Sequence, residues 1–379
     1  MNPPVSPVVM ACSGLGHVRR GNETWALDVA QALHAAGQPV GVVGGGPLPR
    51  VTCPYVRLPH VRRDLPVLRQ CVPWAKRYLI EQLTFLVALR RYLRRWDRVP
   101  VHLCDPDLAL QLHRRSDPTR VRVAFKDGML LGPEWCRRLP FVQVLAPYYR
   151  DVVARDAGVD TREWVVIPHL VDGEAFRPAP DRAQARCDWG ELGLPPEAFV
   201  VLGVGDFSPQ GNKRLPWLID EVASLPAGAC VHLVLAGQAS PADLAALEAG
   251  GRPRLGARLH LLPNRSRAEV ARLYSVADVF AHAATREPFG IVLLEALASG
   301  LPVVGHPWEV TRWIIGDAGQ VVDMTRRGEL GALLRSWGED VARRRLLGDR
   351  ARRRALDHFS AAGVVPQYGA LHQHMRTKS

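Results

Sequence analysis

The chain has 379 residues, 47% hydrophobic and 23% charged, enough apolar side chains to fill two ordinary domain cores and too many for a disordered polymer. Forty-nine Lys and Arg against 37 Asp and Glu give a net charge of +12, which suits an anionic substrate or surface; without a zinc-finger, RNA-recognition or OB-type signature, no nucleic-acid partner is expected. Seven scattered cysteines without a C-x-x-C pair, and histidines without H-E-x-x-H spacing, point to a reducing cytoplasm and predict no protein-held metal.

The first residues, MNPPVSPVVMACSG, lack a basic region ahead of an apolar core, so no signal peptide is expected. No apolar run reaches the roughly 18 residues of a bilayer span. Pro7 to Cys12 reads as a buried strand, and Ser13 to His17 as the turn leaving it. A helical period over Glu23 to Ala36 ends near Gly37, and a second strand, Pro39 to Val43, runs into Gly44-Gly45-Gly46. That order is how a doubly wound parallel sheet begins. Gly14 and Gly16, with no third glycine in place, are a weak dinucleotide signal and read better as a tight turn.

From Arg62 to Arg98 basic residues dominate, opposed only by Asp64, Glu81 and Asp97. Leu79, Leu83, Leu86, Leu89, Leu93 and Trp96 recur there at helical spacing. Two readings fit: a helix packed on its own domain with a solvated Arg face, or a helix lying on an anionic membrane. The strand Val99 to Cys104 contains His102 and ends at Asp105-Pro106. A further strand, Val121 to Phe125, leads into Lys126-Asp127-Gly128 at its carboxyl end, where parallel sheets bind ligands. Asp127 there either binds an acceptor or makes the turn, and His17 and His102 are the other acceptor-side candidates.

Pro178, Pro180, Pro195 and Pro196 mark a linker. The strand Phe199 to Val204 then opens a second domain, with Lys213 and Arg214 just before a helix. Two cations at a helix N-terminus oppose its dipole unless an anion sits beside them, so the pair reads as a phosphate contact, against the plainer reading of a solvated loop. Val231 to Ala236 and Leu259 to Pro263 are further strands, the latter followed by Asn264 and Arg265.

The most informative stretch is Arg286 to Val304, REPFGIVLLEALASGLPVV. Glu287 and Glu295 flank Gly290; Ile291, Leu294 and Leu297 keep a helical period, and Gly300 with Pro302 stops the helix. Backbone amides at the helix start can hold an anion, and at 1.5 Å per residue Glu295 lies roughly 7–8 Å further along. A carboxylate on each flank of an anion site suits a diphosphate with hydroxyls at both ends, which is a nucleotide sugar.

The segment ADVFAHAATREPFGIVLLEALASGLPVV resembles the signature of the retaining glycosyltransferases of family four (group one). Their fold is GT-B, an α/β architecture of two Rossmann-like doubly wound parallel-sheet domains facing across a cleft. The resemblance implies Glu287 beside the donor sugar, Glu295 on the ribose, and the backbone of Phe289, Gly290, Ile291 and Val292 on the diphosphate. It also puts Asn264 and Arg265 near the base. Arg20-Gly21-Asn22-Glu23 resembles the family's Gly-Gly-x-Glu loop, with Gly21 reaching the donor phosphates and Arg20 in place of the first glycine. His102 matches the first residue of the family's His-x-His, with Cys104 at the second, so it is either catalytic or merely structural. Asp206 stands where relatives carry a phosphate-binding Arg, and Arg214 is the candidate replacement. His169-Leu170 and Trp313 are further departures from the pattern.

Residues 1–175 are therefore expected as the acceptor-side domain, 176–196 as linker and 197–359 as the nucleotide-sugar domain, with a last helix, 360–379, crossing back to the first. The implied reaction moves a hexose or related sugar from a nucleoside diphosphate to an acceptor hydroxyl with retention of configuration. Glu287, Lys213, Arg214 and His102 are the catalytic candidates. No metal and no cofactor beyond the donor co-substrate are expected. The acceptor is open between glycan, lipid and small molecule. A cytoplasmic location follows, with 62–98 as a candidate contact to the anionic inner face of a membrane. Two other readings share these residues: a sugar-nucleotide epimerase of the same architecture, and a non-catalytic nucleotide-sugar-binding or membrane-surface protein.

Overall fold

A computed structural model describes residues 7–18, 21–48, 51–226 and 230–378, so Arg20 of the expected glycine loop lies outside the described residues. The chain forms two compact units. One ends at Leu170 and regains the chain from Gly363 onward; the other runs from Val171 to Ala362.

The first unit is built on seven strands: β1 Val8–Cys12, β2 Val40–Gly44, β3 Tyr55–Arg57, β4 Val99–Leu103, β5 Val121–Lys126, β6 Phe141–Val144 and β7 Trp164–Val166. Their spatial order is β3-β2-β1-β4-β5-β6-β7, and every neighbour is parallel. β1 (VVMAC) is buried at all five positions, as a parallel strand covered on both faces must be. Trp25, Val29 and Leu33 of the helix Gly21–Ala35 fill one face together with Val364, Tyr368 and Met375 of the helix Ala361–Thr377. Gln143 Nε2 on β6 and Trp25 Nε1 both donate to the Tyr368 hydroxyl, at 2.9 and 2.7 Å, which fixes the last helix on this sheet.

The other face is covered by the helices Trp74–Leu93 and Pro106–Arg115. The apolar stripe expected over the basic segment divides here. Leu86, Leu89 and Leu93 are buried in the core with Phe85, whereas Leu79, Leu83 and Val87 are 40%, 36% and 72% exposed. Gly16 has φ +91°, and a Cβ there would sit 2.5 Å from the Gly46 carbonyl carbon. The two glycines thus let the loops after β1 and β2 touch, which accounts for them without a dinucleotide.

The second unit has six parallel strands: β8 Phe199–Val204, β9 Val231–Gly237, β10 Leu259–Pro263, β11 Val279–His282, β12 Val303–Gly305 and β13 Gly319–Val321. Their order is β10-β9-β8-β11-β12-β13, so the winding reverses between β8 and β11. The proline-rich stretch read as a linker contains the helix Arg182–Asp188, and its Arg186 is buried. That guanidinium donates to the carbonyls of Val276, Pro196 and Ala198 and pairs with Asp278 at 2.6 Å, so the stretch is packed onto the second sheet.

Candidate functional site

Doubly wound sheets bind ligands outside the carboxyl ends of their strands, where the winding reverses. In the second unit that point is the gap between the ends of β8 and β11. Lys213 comes from the loop after β8, and His282 is the last residue of β11. Glu287 lies in the loop that follows and brings them together. Lys213 Nζ donates to Glu287 Oε2 at 2.5 Å, and His282 Nε2 lies 3.1 Å from the same oxygen.

Burial alone would raise the Glu287 carboxyl, but the His282 hydrogen bond and the charges beside it outweigh burial and hold it at about 2. Burial lowers His282, and the Lys213 ammonium adds to that effect. The ionised Glu287 carboxylate, which can only accept, takes the Lys213 and His282 hydrogen bonds on one oxygen. Trp308 Nε1 donates to the Glu287 carbonyl at 3.1 Å, and Asn212 Nδ2 to the adjacent Arg286 carbonyl at 2.7 Å, fixing the loop at its middle.

Gly290 follows with φ +85° and caps the helix Ile291–Ala298. A side chain would be strained at that φ, and a Cβ would meet Glu287 Cγ at 2.9 Å. The helix thus starts beside Glu287, with the Ile291 and Val292 amides in its first turn and Phe289 buried beneath. Further along, Tyr274 donates its hydroxyl to Glu295 Oε2 at 3.0 Å, orienting the carboxylate.

The remaining expected residues of this unit make the following contacts. Arg214 adopts φ +50°, donates to the carbonyls of Ala283 and Met324 at 3.3 and 2.8 Å, and lies over the Trp217 ring. Asp206 accepts from the Ser208 amide at 2.8 Å, closing a turn. Asn264 exchanges two hydrogen bonds with the Ala239 backbone, and Arg265 pairs with Glu269 beside a capping box. These four residues shape the strand-end loops.

In the first unit His102 is fully buried, its Nδ1 3.2 Å from His372 Nε2 and its ring edge-on to Trp25. Burial lowers its pKa well below the usual histidine value. The structure therefore corrects the catalytic expectation: His102 is a core residue that seats the last helix. Asp127 is buried and accepts from the Met129 and Leu131 amides, so it makes the turn. Gly21 opens its helix, and a Cβ there would meet open space.

His17 belongs to a buried polar network. Its Nε2 lies 2.9 Å from Glu81, which also accepts from Ser13 Oγ and the Arg63 amide. Arg63 Nη2 bonds Glu23 at 2.9 Å, and Asp105 accepts from the Ser13 amide and the Tyr78 hydroxyl at 2.6 and 2.7 Å. Burial would raise Glu81, yet His17 and Arg63 hold it low; Glu23 and Asp105 are both raised by burial. Lys126, also buried, donates to Asn22 Oδ1 at 2.9 Å, and burial lowers it to about 8.

Sequence reading missed His282, Tyr274 and Trp308. A polar residue closing an apolar strand, as His282 does, is a signal that could have been used; the Tyr274 and Trp308 contacts bridge segments 21 residues apart from their partners and leave no local pattern.

Residues 198–336 match the family model described as glycosyl transferases group 1. The chain is 35% identical over 225 residues to a D-inositol 3-phosphate glycosyltransferase of Kineococcus radiotolerans. That alignment covers 52% of this chain and 49% of the relative, so the chain spans about half the length of that curated relative. Among solved structures, a sucrose-phosphate synthase from Thermosynechococcus elongatus superposes with a TM-score of 0.78 at 21% identity, covering 99% of this chain and 100% of that one. Anabaena HepE in complex with UDP and glucose gives 0.73 at 19% identity, covering 96% and 98%. Identities this low establish the fold, which is GT-B. Over residues 198–336 the chain is thus similar to the group 1 glycosyl transferases, and its fold is GT-B.

Proposed function

We propose that the protein transfers a sugar from a nucleoside diphosphate sugar to an acceptor hydroxyl, with retention of anomeric configuration. The observation that carries this reading is the Lys213–Glu287–His282 cluster at the strand reversal, beside a helix start opened by Gly290. An ammonium and an ionised carboxylate meet there next to the first turn of a helix. The amides of Ile291 and Val292 and the Lys213 ammonium receive the diphosphate. Lys213 then stabilises the charge that grows on it as the glycosidic bond breaks, an effect worth about 3–4 kcal/mol for a preorganised donor. Glu287, kept ionised and fixed by His282, accepts hydroxyls of the donor sugar. Glu295, oriented by Tyr274, accepts those of the ribose. As the resemblance implies, the acceptor enters on the face the diphosphate leaves, and the departing phosphate takes its proton. That HepE was solved with UDP and glucose, and that the curated relative is a glycosyltransferase by name, support a nucleotide-sugar donor here.

A panel of nucleotide sugars, screened by thermal stabilisation and then by product formation, tests the reading. The bound donor should yield free nucleotide and a product whose anomeric proton matches the donor's configuration by NMR. Inverted product would remove retention, and interconversion of donor sugars without transfer would favour an epimerase.

A second reading concerns location. Leu79, Leu83 and Val87 stand one turn apart on the outer face of the helix Trp74–Leu93, on the same helix as Arg90 and Arg91. This row suits a contact with an anionic membrane, the outward apolar side chains entering the headgroups. No helix among the described residues is long and apolar enough to cross a membrane.

A further inference from the structure

The helices Trp74–Leu93 and Pro106–Arg115 end beside the first residue of β5, at the amino-terminal edge of the first sheet. Between them lies a cavity of about 160 Å³. Four arginines line it, Arg90, Arg94, Arg115 and Arg120, against one acid among the described residues, Asp117. Leu93, Trp96 and Val121 supply its apolar part.

Two of the four arginines have work in the fold. Arg90 Nη2 donates to the Arg115 carbonyl at 2.6 Å, closing the end of the second helix, and Arg120 pairs with Asp97 at 2.8 Å. The guanidiniums of Arg94 and Arg115 are exposed and have no hydrogen-bond or ion-pair partner among the described residues. The Asp117 carboxylate is held by Thr119, whose amide and hydroxyl donate to it at 2.8 and 2.7 Å. Arginines near a helix C-terminus answer its dipole, which is the plainer account of such a cluster. Two helix ends amount to about −1 in all, and Arg90 alone matches that. Arg120 matches Asp97. Arg94 and Arg115 then stand against Asp117, so the hollow keeps a positive excess.

Guanidinium forks fit the oxygens of a phosphate, two bonds at a time. At about 30 Å³ per water the hollow has room for roughly five, which suits a phosphate with a short ester stub. A nucleotide needs the roughly 300 Å³ or more of an ordinary ligand pocket and does not fit.

We propose that this hollow binds the phosphate of a phosphate ester. The binding does not rest on sugar transfer, because the hollow lies at the opposite end of the sheet from the strand carboxyl ends. The ester has two sources with the same chemistry, a free phosphorylated metabolite and a phospholipid headgroup. Arg90 follows Leu79 by 11 residues and Leu83 by seven, about three and two helical turns, so it continues their outward face toward the hollow.

Two probes test the site on the full chain at low salt: glycerol 3-phosphate by titration calorimetry, and vesicles carrying phosphatidic acid by flotation. Wild type should bind at least one of them. The double variant Arg94→Gln with Arg115→Gln should bind that probe about three- to tenfold more weakly, the range for exposed charged contacts. It should keep the wild-type unfolding midpoint and the wild-type response to UDP. Binding of glycerol 3-phosphate would assign a soluble ester, and binding of the vesicles alone a lipid headgroup. No binding of either probe by wild type, or equal binding by the double variant, would overturn the proposal. So would equal flotation with vesicles whose charge comes from fatty-acid carboxylates, since the surface would then answer to charge and not to phosphate.

Discussion

The two units use the same architecture and opposite electrostatics. Both are parallel sheets wound in the same order about their first strand, and both gather charged residues at strand ends. In the first unit the charges close on one another: Glu81 takes hydrogen bonds from His17, Ser13 and Arg63, and Arg63 reaches on to Glu23. That network ties the loop after β1 to the helix Trp74–Leu93 and leaves little free charge for a ligand. In the second unit a single ammonium rests on a single ionised carboxylate, with helix amides alongside. A diphosphate can take over that ammonium without stranding a buried group, because Glu287 keeps His282. The lesson is that pairing alone does not separate a structural cluster from a binding one; the number of partners each charge would lose does.

Removing a partner from the closed network should have the largest effect. Glu81→Ala strands Arg63 and His17 and should cost about 3–5 kcal/mol of stability, as for broken buried pairs, read as a lower midpoint in urea. A midpoint within 1 kcal/mol of wild type would show that water takes over those groups and that the network is not closed.

Lys213→Ala should do the converse. It should fold normally and lose about 10²–10³ in kcat, as for other preorganised electrostatic groups, with a smaller rise in donor KM. Arg214→Ala should instead lower stability, since its guanidinium holds the carbonyls of Ala283 and Met324. A kinetic loss in Arg214→Ala equal to that of Lys213→Ala, in a stable protein, would make Arg214 the substitute for the arginine that Asp206 displaces.

Acid sharpens the comparison a third way. Glu287 is held at about 2 against an ordinary 4.5, a depressed carboxylate. Its contribution is fully present above pH 4.5 and is lost as pH falls toward 2; integrated, it is worth roughly 3 kcal/mol. Glu287→Gln should therefore flatten the acid limb of the stability profile over that window and leave stability at pH 7–9 parallel to wild type. An unchanged acid limb would contradict the assignment.

How far the sequence could be read follows from the same contrast. Part of the second unit's candidate site could be read locally, because Glu287, Gly290 and Glu295 lie within eight residues, whereas Lys213 reaches Glu287 from 74 residues away and His282 was missed. The first unit's network draws on residues 13, 17, 23, 63, 81 and 105, which only the fold assembles, so nothing in the local pattern announced it. The same limit left His102 open between two readings. A strand histidine beside a strand end looks alike from either side of the sheet, and only the seating of the last helix, with His372 against it, shows that it faces the core. The stripe on the helix Trp74–Leu93 was read as one surface because period alone cannot tell a buried row from an outward one. Leu86, Leu89 and Leu93 answer to the core, and Leu79 and Leu83 to solvent.

The smallest effect concerns Tyr274. Tyr274→Phe removes one hydrogen bond to Glu295 and should weaken nucleotide binding by about 0.5–1.5 kcal/mol, by calorimetry, with the fold unchanged. No change would mean that Glu295 is oriented by other contacts.

The central claim is that the strand-end cluster of the second unit is a nucleoside diphosphate site. Titration calorimetry of UDP, GDP and ADP into the wild-type chain and Lys213→Ala tests it most directly. One of the three should bind with one-to-one stoichiometry, at least about tenfold more weakly in Lys213→Ala, the loss expected of a charged hydrogen bond worth about 1.5–3 kcal/mol. Equal affinity in the two proteins, or no heat from any of the three nucleotides, would contradict it.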